Sequence, residues 1–165
     1  MRRFIVLLFA VIASTLTASQ ASANTTQFVS MTFAEPIHPS ITCPGFPDVS
    51  CGKGEVTPLG QATEILVFGA GCGGSCDLRT INLAGGSLIA EETLSDVKCP
   101  AVPVDCRPGP LEVGSATVTD TLIGGTGTYA GATGTLSGTI RLEGSNARPA
   151  GTSTVKLSGA IQYGD

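Results

Sequence analysis

Leu122-Ile123-Gly124-Gly125-Thr126-Gly127-Thr128-Tyr129-Ala130-Gly131-Ala132-Thr133-Gly134-Thr135-Leu136-Ser137-Gly138 is the stretch on which the reading of this chain turns. It reads as the end of one strand, a corner built from Gly124, Gly125, Gly127, Gly131 and Gly134, a single aromatic, and the start of a second strand. Glycine serves where φ must be positive or where two backbones approach closely. A run this rich in glycine encodes a bend before it encodes any chemistry.

The segments on either side alternate. Ala116, Val118 and Leu122 share one face of a strand, opposite Ser115, Thr117, Thr119 and Thr121. Leu136, Ile140 and Leu142 share a face with Gly134 and Gly138, and further on Val155, Leu157, Ile161 and Tyr163 do the same. Period-2 alternation gives a strand one dry face and one wet face, as in antiparallel sheets. Long alternating strands in a small chain favour closure, because a barrel has no exposed edge. No segment carries a helical stripe. The expected fold is all-β: a small antiparallel up-and-down β-barrel of about 7–8 strands with disulfide-pinned loops, the alternative being a β-sandwich.

Two residues of this region invite a functional reading. Asp120 falls on the apolar face between Val118 and Leu122. A bulge that turns it out to solvent is the simpler account. The other is a buried carboxylate in the lumen, with a raised pKa or an arginine partner. Tyr129 follows the glycine corner and reads as a plug at one barrel end, or as a phenol that meets a ligand in the lumen. Asp120 and Tyr129 are thus the candidate ligand-binding residues.

At the N-terminus, Arg2 and Arg3 precede an apolar run from Phe4 to Ile12, and Ala21-Ser22-Ala23 fits a small-residue cleavage site. This pattern predicts a Sec-type signal peptide over residues 1–23, cleaved after Ala23, and a secreted or periplasmic single domain over residues 24–165. The apolar run is too short for a stable membrane span, and no later segment reaches spanning length. The formal net charge is −4. Arginines in the leader make the remainder more acidic still, which disfavours nucleic acid and anionic membranes as partners. Tryptophan is absent, so a surface that binds through stacked aromatics is disfavoured too.

Cys43, Cys51, Cys72, Cys76, Cys99 and Cys106 form an even set in a chain that reads as exported, and predict disulfides. Their order suggests three local loops, Cys43–Cys51, Cys72–Cys76 and Cys99–Cys106, each around a Pro- or Gly-bearing segment. A metal site is not expected: there is no Cys-x-x-Cys pair, and His38 is the lone histidine. No cofactor is expected either. His38 stands between Pro36 and Pro39 in a proline-rich loop over residues 35–50 and reads as an exposed spectator, since a catalytic base needs a positioned partner. A second such loop covers residues 98–110.

Gly69-Ala70-Gly71-Cys72-Gly73-Gly74 follows an apolar strand over residues 62–68 and matches G-x-G-x-x-G literally. The dinucleotide reading fails because that motif needs a helix N-terminus, and Ser75 to Ile81 has no helical period. Residues 78–83 and 87–94 read as a hairpin around Ala84-Gly85-Gly86. Glu91 and Glu92 are consecutive, so they point to opposite faces and are not an acid/base pair with each other.

Gly124 to Gly134 resembles the GGTG-x-(Phe/Tyr)-x-x-A-x-G signature of the allene oxide cyclase/dirigent barrel superfamily, in particular its bacterial secreted barrel-like members. Gly52-Lys53-Gly54-Glu55-Val56-Thr57-Pro58-Leu59-Gly60 resembles a second recurrent segment leading into a strand. The resemblance covers the C-terminal half and part of the middle, and implies a barrel whose lumen does the work. Plant members include a cyclase acting on a fatty-acid epoxide and proteins that steer radical coupling. The matched residues are the structural corner and carry no catalytic group. The expectation is an exported barrel that is not an enzyme and binds a small apolar molecule or acts at the cell surface. The alternatives are a dirigent-like or isomerase-like enzyme using the lumen, and a structural or partner-binding module.

Overall fold

The computed structural model describes residues 24–37, 49–98, 112–145 and 148–164. They form the strands β1 (Thr25–Ile37), β2 (Val49–Thr57), β3 (Gly60–Gly71), β4 (Cys76–Leu83), β5 (Gly86–Lys98), β6 (Glu112–Gly127), β7 (Thr133–Ser145) and β8 (Arg148–Tyr163). Each pairs antiparallel with the next, and β8 returns to β1 along a ladder from Thr25↔Tyr163 to Ile37↔Gly151. The sheet is therefore a closed up-and-down barrel, and the sandwich alternative is set aside. No helix occurs among the described residues.

Alternation explains the closure. Val29, Met31 and Phe33 of β1, Val118 and Leu122 of β6, and Val155 and Leu157 of β8 are buried in one core inside the barrel. Their sequence neighbours Ser30, Thr32, Thr121 and Lys156 are exposed. Each buried aliphatic side chain contributes roughly 1.5–3 kcal/mol relative to an exposed one.

The two barrel ends differ. At one, β6 turns into β7 through the glycine corner. Tyr129 N–H donates to Thr126 O at 3.1 Å and Ala132 N–H to Tyr129 O at 3.0 Å. Gly127 (φ 59°) and Gly131 (φ 69°) take the left-handed conformation this turn requires, which disfavours any residue with a Cβ. Thr128 N–H donates to Gly85 O at 2.9 Å and ties the corner to the β4–β5 turn. Tyr129 is buried, its ring 5.3 Å from that of Tyr163 in an edge-to-face contact. This is the tyrosine end. The opposite, cysteine end gathers the ends of β1, β3, β5 and β7 and the starts of their successors.

One sequence expectation needs correction here. Residues 35–50 read as a loop because of their prolines, yet Glu35, Pro36 and Ile37 continue β1, while Val49 and Ser50 open β2. The β1–β2 register ends at Ala34↔Lys53, whereas β1–β8 runs on through Pro36↔Thr152. Pro36 therefore sits where β1 has a partner on one side only, the position a strand proline tolerates.

Candidate functional site

Five strands each place one ionic side chain on the row that faces the lumen. Glu35 follows Val29, Met31 and Phe33 in phase on β1. Glu64 lies between Ala62 and Leu66 on β3. Arg79 precedes Ile81 on β4, Glu92 follows Leu88 and Ala90 on β5, and Asp120 lies between Val118 and Leu122 on β6. All five are buried, Arg79 and Asp120 completely.

Arg79 is the hub. Its Nε donates to Glu92 Oε2 at 3.0 Å, and one terminal nitrogen donates to that same oxygen. Its other terminal nitrogen donates to Glu64 Oε2, and to Glu35 Oε1 at 3.2 Å. Nε also stands 3.2 Å from Asp120 Oδ2, an ion pair without hydrogen-bond alignment. Ser50 Oγ donates to Glu35 Oε2 at 3.4 Å. Glu64 Oε1 and both Asp120 oxygens are buried without a hydrogen-bond partner, as is Ser153 Oγ across from Glu35 on β8. Gly52 makes the room for Glu64: the two are register partners, and a Cβ at Gly52 would stand 2.9 Å from Glu64 Cγ.

One guanidinium shared by four carboxyls does not offset the loss of water for all of them. Burial pushes Glu64 up to about 9; Arg79 opposes the rise, and Glu35 adds to it by charge and by a hydrogen bond. Burial likewise pushes Asp120 up to about 7, against Arg79 and with help from Glu92. Glu92 is raised by burial and restrained by Arg79. Burial works against the charge of Arg79, but Glu64, Asp120, Glu92 and Glu35 together hold its pKa above the ordinary value. Near neutrality the site therefore holds a permanent cation, a protonated Glu64, and an Asp120 able to give or take a proton.

The expected bulge at Asp120 is corrected. Asp120 pairs in register with Glu92 on one side and Leu136 on the other. The irregularity falls beyond it: Leu122 and Gly124 pair with Ala90 and Ile89, so Ile123 is the extra residue, and it is the one exposed. Asp120 tolerates burial because Arg79 lies beside it. Tyr129 belongs to the tyrosine end with Tyr163, whose hydroxyl donates to Gln27 Oε1 at 2.7 Å. The structure therefore groups Tyr129 with Tyr163, and Asp120 with Arg79 and Glu92.

The remaining sequence readings that lie within the described residues fall at the cysteine end. Cys72 and Cys76 form the expected disulfide, with Cα atoms 5.4 Å apart. Cys51 is disulfide-bonded as well. Cys43, Cys99, Cys106 and His38 lie outside the described residues. Gly69 to Gly74 ends β3 and makes a turn, with Gly74 N–H donating to Gly71 O at 2.7 Å and Asp77 Oδ1 accepting from Gly69 N–H at 2.8 Å. Glu91 and Glu92 point to opposite faces: Glu91 Oε1 accepts from Cys72 N–H at 2.7 Å outside, while Glu92 enters the cluster. Ligand atoms of Cys72, Cys76 and Glu91 lie within 4.8 Å of one another, but the two sulfurs are bonded together and offer no thiolate to a metal.

The sequence reading does not single out Glu35, Glu64 or Arg79, and weighs Glu92 only against its neighbour Glu91. The signal was present: each is an ionic residue in phase with the apolar positions of its own strand, as Asp120 is. Leu94, next on the lumen row after Glu92, is 47 % exposed, and Phe68 and Val97 are exposed nearby in the chain at the same end. No helix among the described residues is long and apolar enough to cross a membrane. Comparison with protein-family models, curated proteins and solved structures finds no match.

Proposed function

We propose that the protein is an exported, non-catalytic binding barrel that takes a small molecule into its lumen, with an apolar body among the aliphatic side chains and a polar head at the Arg79 cluster. Asp120 carries this reading. It is fully buried beside Arg79 and Glu92, and neither of its oxygens accepts an aligned hydrogen bond from a protein donor. A buried polar group left unpaired costs about 1–3 kcal/mol, and more when charged. A ligand that donates to Asp120 would offset that cost. Kinship with the allene oxide cyclase/dirigent superfamily is part of the proposal, supported by the glycine corner and the closed barrel. Export is supported by the leader pattern and by the Cys72–Cys76 disulfide.

Native mass spectrometry of protein purified from cells that export it tests the reading. A defined non-covalent adduct, lost in Asp120→Asn, is the expected result. A barrel that is empty and binds no member of a lipid and aromatic library refutes it.

One observation favours a second reading, an isomerase-like enzyme. Glu64 and Asp120, raised to about 9 and about 7, bracket neutrality. A protonated acid near a group that can accept a proton is the arrangement general acid–base chemistry uses. An activity unaffected by both Asp120→Asn and Glu64→Gln would remove this assignment.

A further inference from the structure

We propose that the cluster at the cysteine end is a binding site for a small organic cation, a protonated amine on an apolar body. This inference rests on the binding-barrel reading and specifies the head group it selects.

The first argument is charge. Four carboxyl groups surround one guanidinium. Asp77 of β4, the register partner of Glu92, adds a fifth acid beside them. Among the described side chains, no other cation is placed at the group. Lys53, Lys98 and Lys156 are exposed, and Arg141 pairs with Glu143 on the surface, both 62 % exposed. The charged groups that act on Asp120 and Glu64 are thus Glu35 from β1, Arg79 from β4 and Glu92 from β5, with Asp77 acting on Glu92. An anionic head would have to compete with these four carboxyl groups for the one guanidinium.

The second argument is the donor count. All three Arg79 nitrogens are committed to Glu35, Glu64 and Glu92. Glu64 shares a hydrogen bond with Glu35, but neither Asp120 Oδ1 nor Asp120 Oδ2 accepts an aligned donor from the protein. Asp120 is wholly buried and stands beside Arg79. A hydroxyl brings one donor and no charge, whereas a primary ammonium brings three donors and a full positive charge. The third argument is position. Leu94, next to Glu92 on the same row of β5, is 47 % exposed, while Leu88 and Leu122 offer apolar contact on the tyrosine-end side of Glu92 and Asp120.

The bookkeeping of protons gives a distinct readout. The carboxyls that hold a proton at neutral pH yield it to the buffer as the ammonium takes over their acceptor oxygens. The ammonium keeps its own protons throughout.

Isothermal titration calorimetry of the oxidised protein at pH 7, with n-hexylammonium chloride, n-hexanol and sodium hexanoate, tests the proposal. Running each in two buffers of different ionisation enthalpy reads the proton release. Hexylammonium is expected to bind once per barrel with net release of protons, and hexanoate not to bind. Asp120→Asn, close in size to the native side chain, is expected to weaken hexylammonium binding by about tenfold or more. Glu64→Gln gives a second, independent reading should Asp120→Asn misfold. Glu143→Gln removes an outer acid and is expected to leave binding intact. Hexanol binding as well as hexylammonium, insensitive to Asp120→Asn and Glu64→Gln, would overturn the cation assignment and leave the binding barrel standing. Failure of all three probes to bind would overturn both.

Discussion

Raising the pH should weaken this barrel across a range in which most proteins hold steady, and Asp120→Asn should remove much of the effect. The native state binds the Asp120 proton more tightly than the unfolded chain does, its pKa rising from 3.8 to about 7. A group of this kind binds more protons folded than unfolded, so stability falls as pH climbs from the ordinary value to the raised one. The accumulated loss is roughly 4 kcal/mol once Asp120 is ionised in both states, at about 1.36 kcal/mol per pKa unit. Glu64, raised from 4.5 to about 9, extends the fall to higher pH. Arg79 stays charged throughout and adds no slope. Urea unfolding followed by circular dichroism at fixed ionic strength, from pH 5 to pH 9, measures the curve. Breaking a buried ion pair ordinarily destabilises by about 3–5 kcal/mol. Here the lost solvation of Asp120 outweighs its attraction to Arg79, so Asp120→Asn should be more stable than the native protein at pH 9, by an amount on the order of a few kcal/mol. Stability that is flat or rising between pH 5 and 8, or a variant curve parallel to the native one, would refute the reasoning.

Three further outcomes follow from the same geometry. Gly52→Ala should destabilise by about 1–3 kcal/mol through the collision of its Cβ with Glu64, and a Gly52→Ala/Glu64→Ala double-mutant cycle should show strong non-additivity. Tyr129→Ala should cost about 3–5 kcal/mol in thermal or urea unfolding by emptying the tyrosine end, whereas Tyr129→Phe, which keeps the edge-to-face contact, should cost under about 1 kcal/mol. Peptide mapping of unreduced protein should return Cys72–Cys76 together with Cys43–Cys51 and Cys99–Cys106, and reduction should leave the far-ultraviolet β signal largely intact because Cys72–Cys76 staples a turn and not the core.

The barrel was legible because alternation survives in nearly every strand and the corner glycines mark where β6 gives way to β7. The limits of strands were less legible where a local rule spoke against tertiary context. Prolines argued for a loop at Glu35, while the ladder to β8 carries β1 past them. The run Ile65-Leu66-Val67-Phe68 hid the period-2 pattern of β3, and with it the fact that Glu64 is in phase with Ala62 and Leu66. The order of the cysteines does not by itself fix their pairing. An up-and-down topology sends the β1–β2, β3–β4 and β5–β6 connections to one end, so barrel ends do not distinguish one local pairing from another.

Asp120 shows why the site was harder to read than the fold. Taken alone, one carboxyl on an apolar face is better served by a bulge than by burial, since isolated burial of a charge is so costly. The balance changes when the same phase test is run on every strand. Glu35, Glu64, Arg79 and Glu92 each fall on a lumen row, and one of them is a cation. Alternation says which face a side chain takes, but not its height in the barrel, which depends on the stagger between strands. Only the register brings Asp120 opposite Glu92 and sets Glu64 against Gly52. An eight-stranded barrel is just wide enough for its side chains to meet across the lumen, so ionic groups at one height must interact. A lone ion in phase with apolar neighbours is therefore weak as a signal in one strand. Five such ions, four acidic and one basic, in five strands of a chain that closes on itself, are what a shared charge cluster looks like before the fold is known.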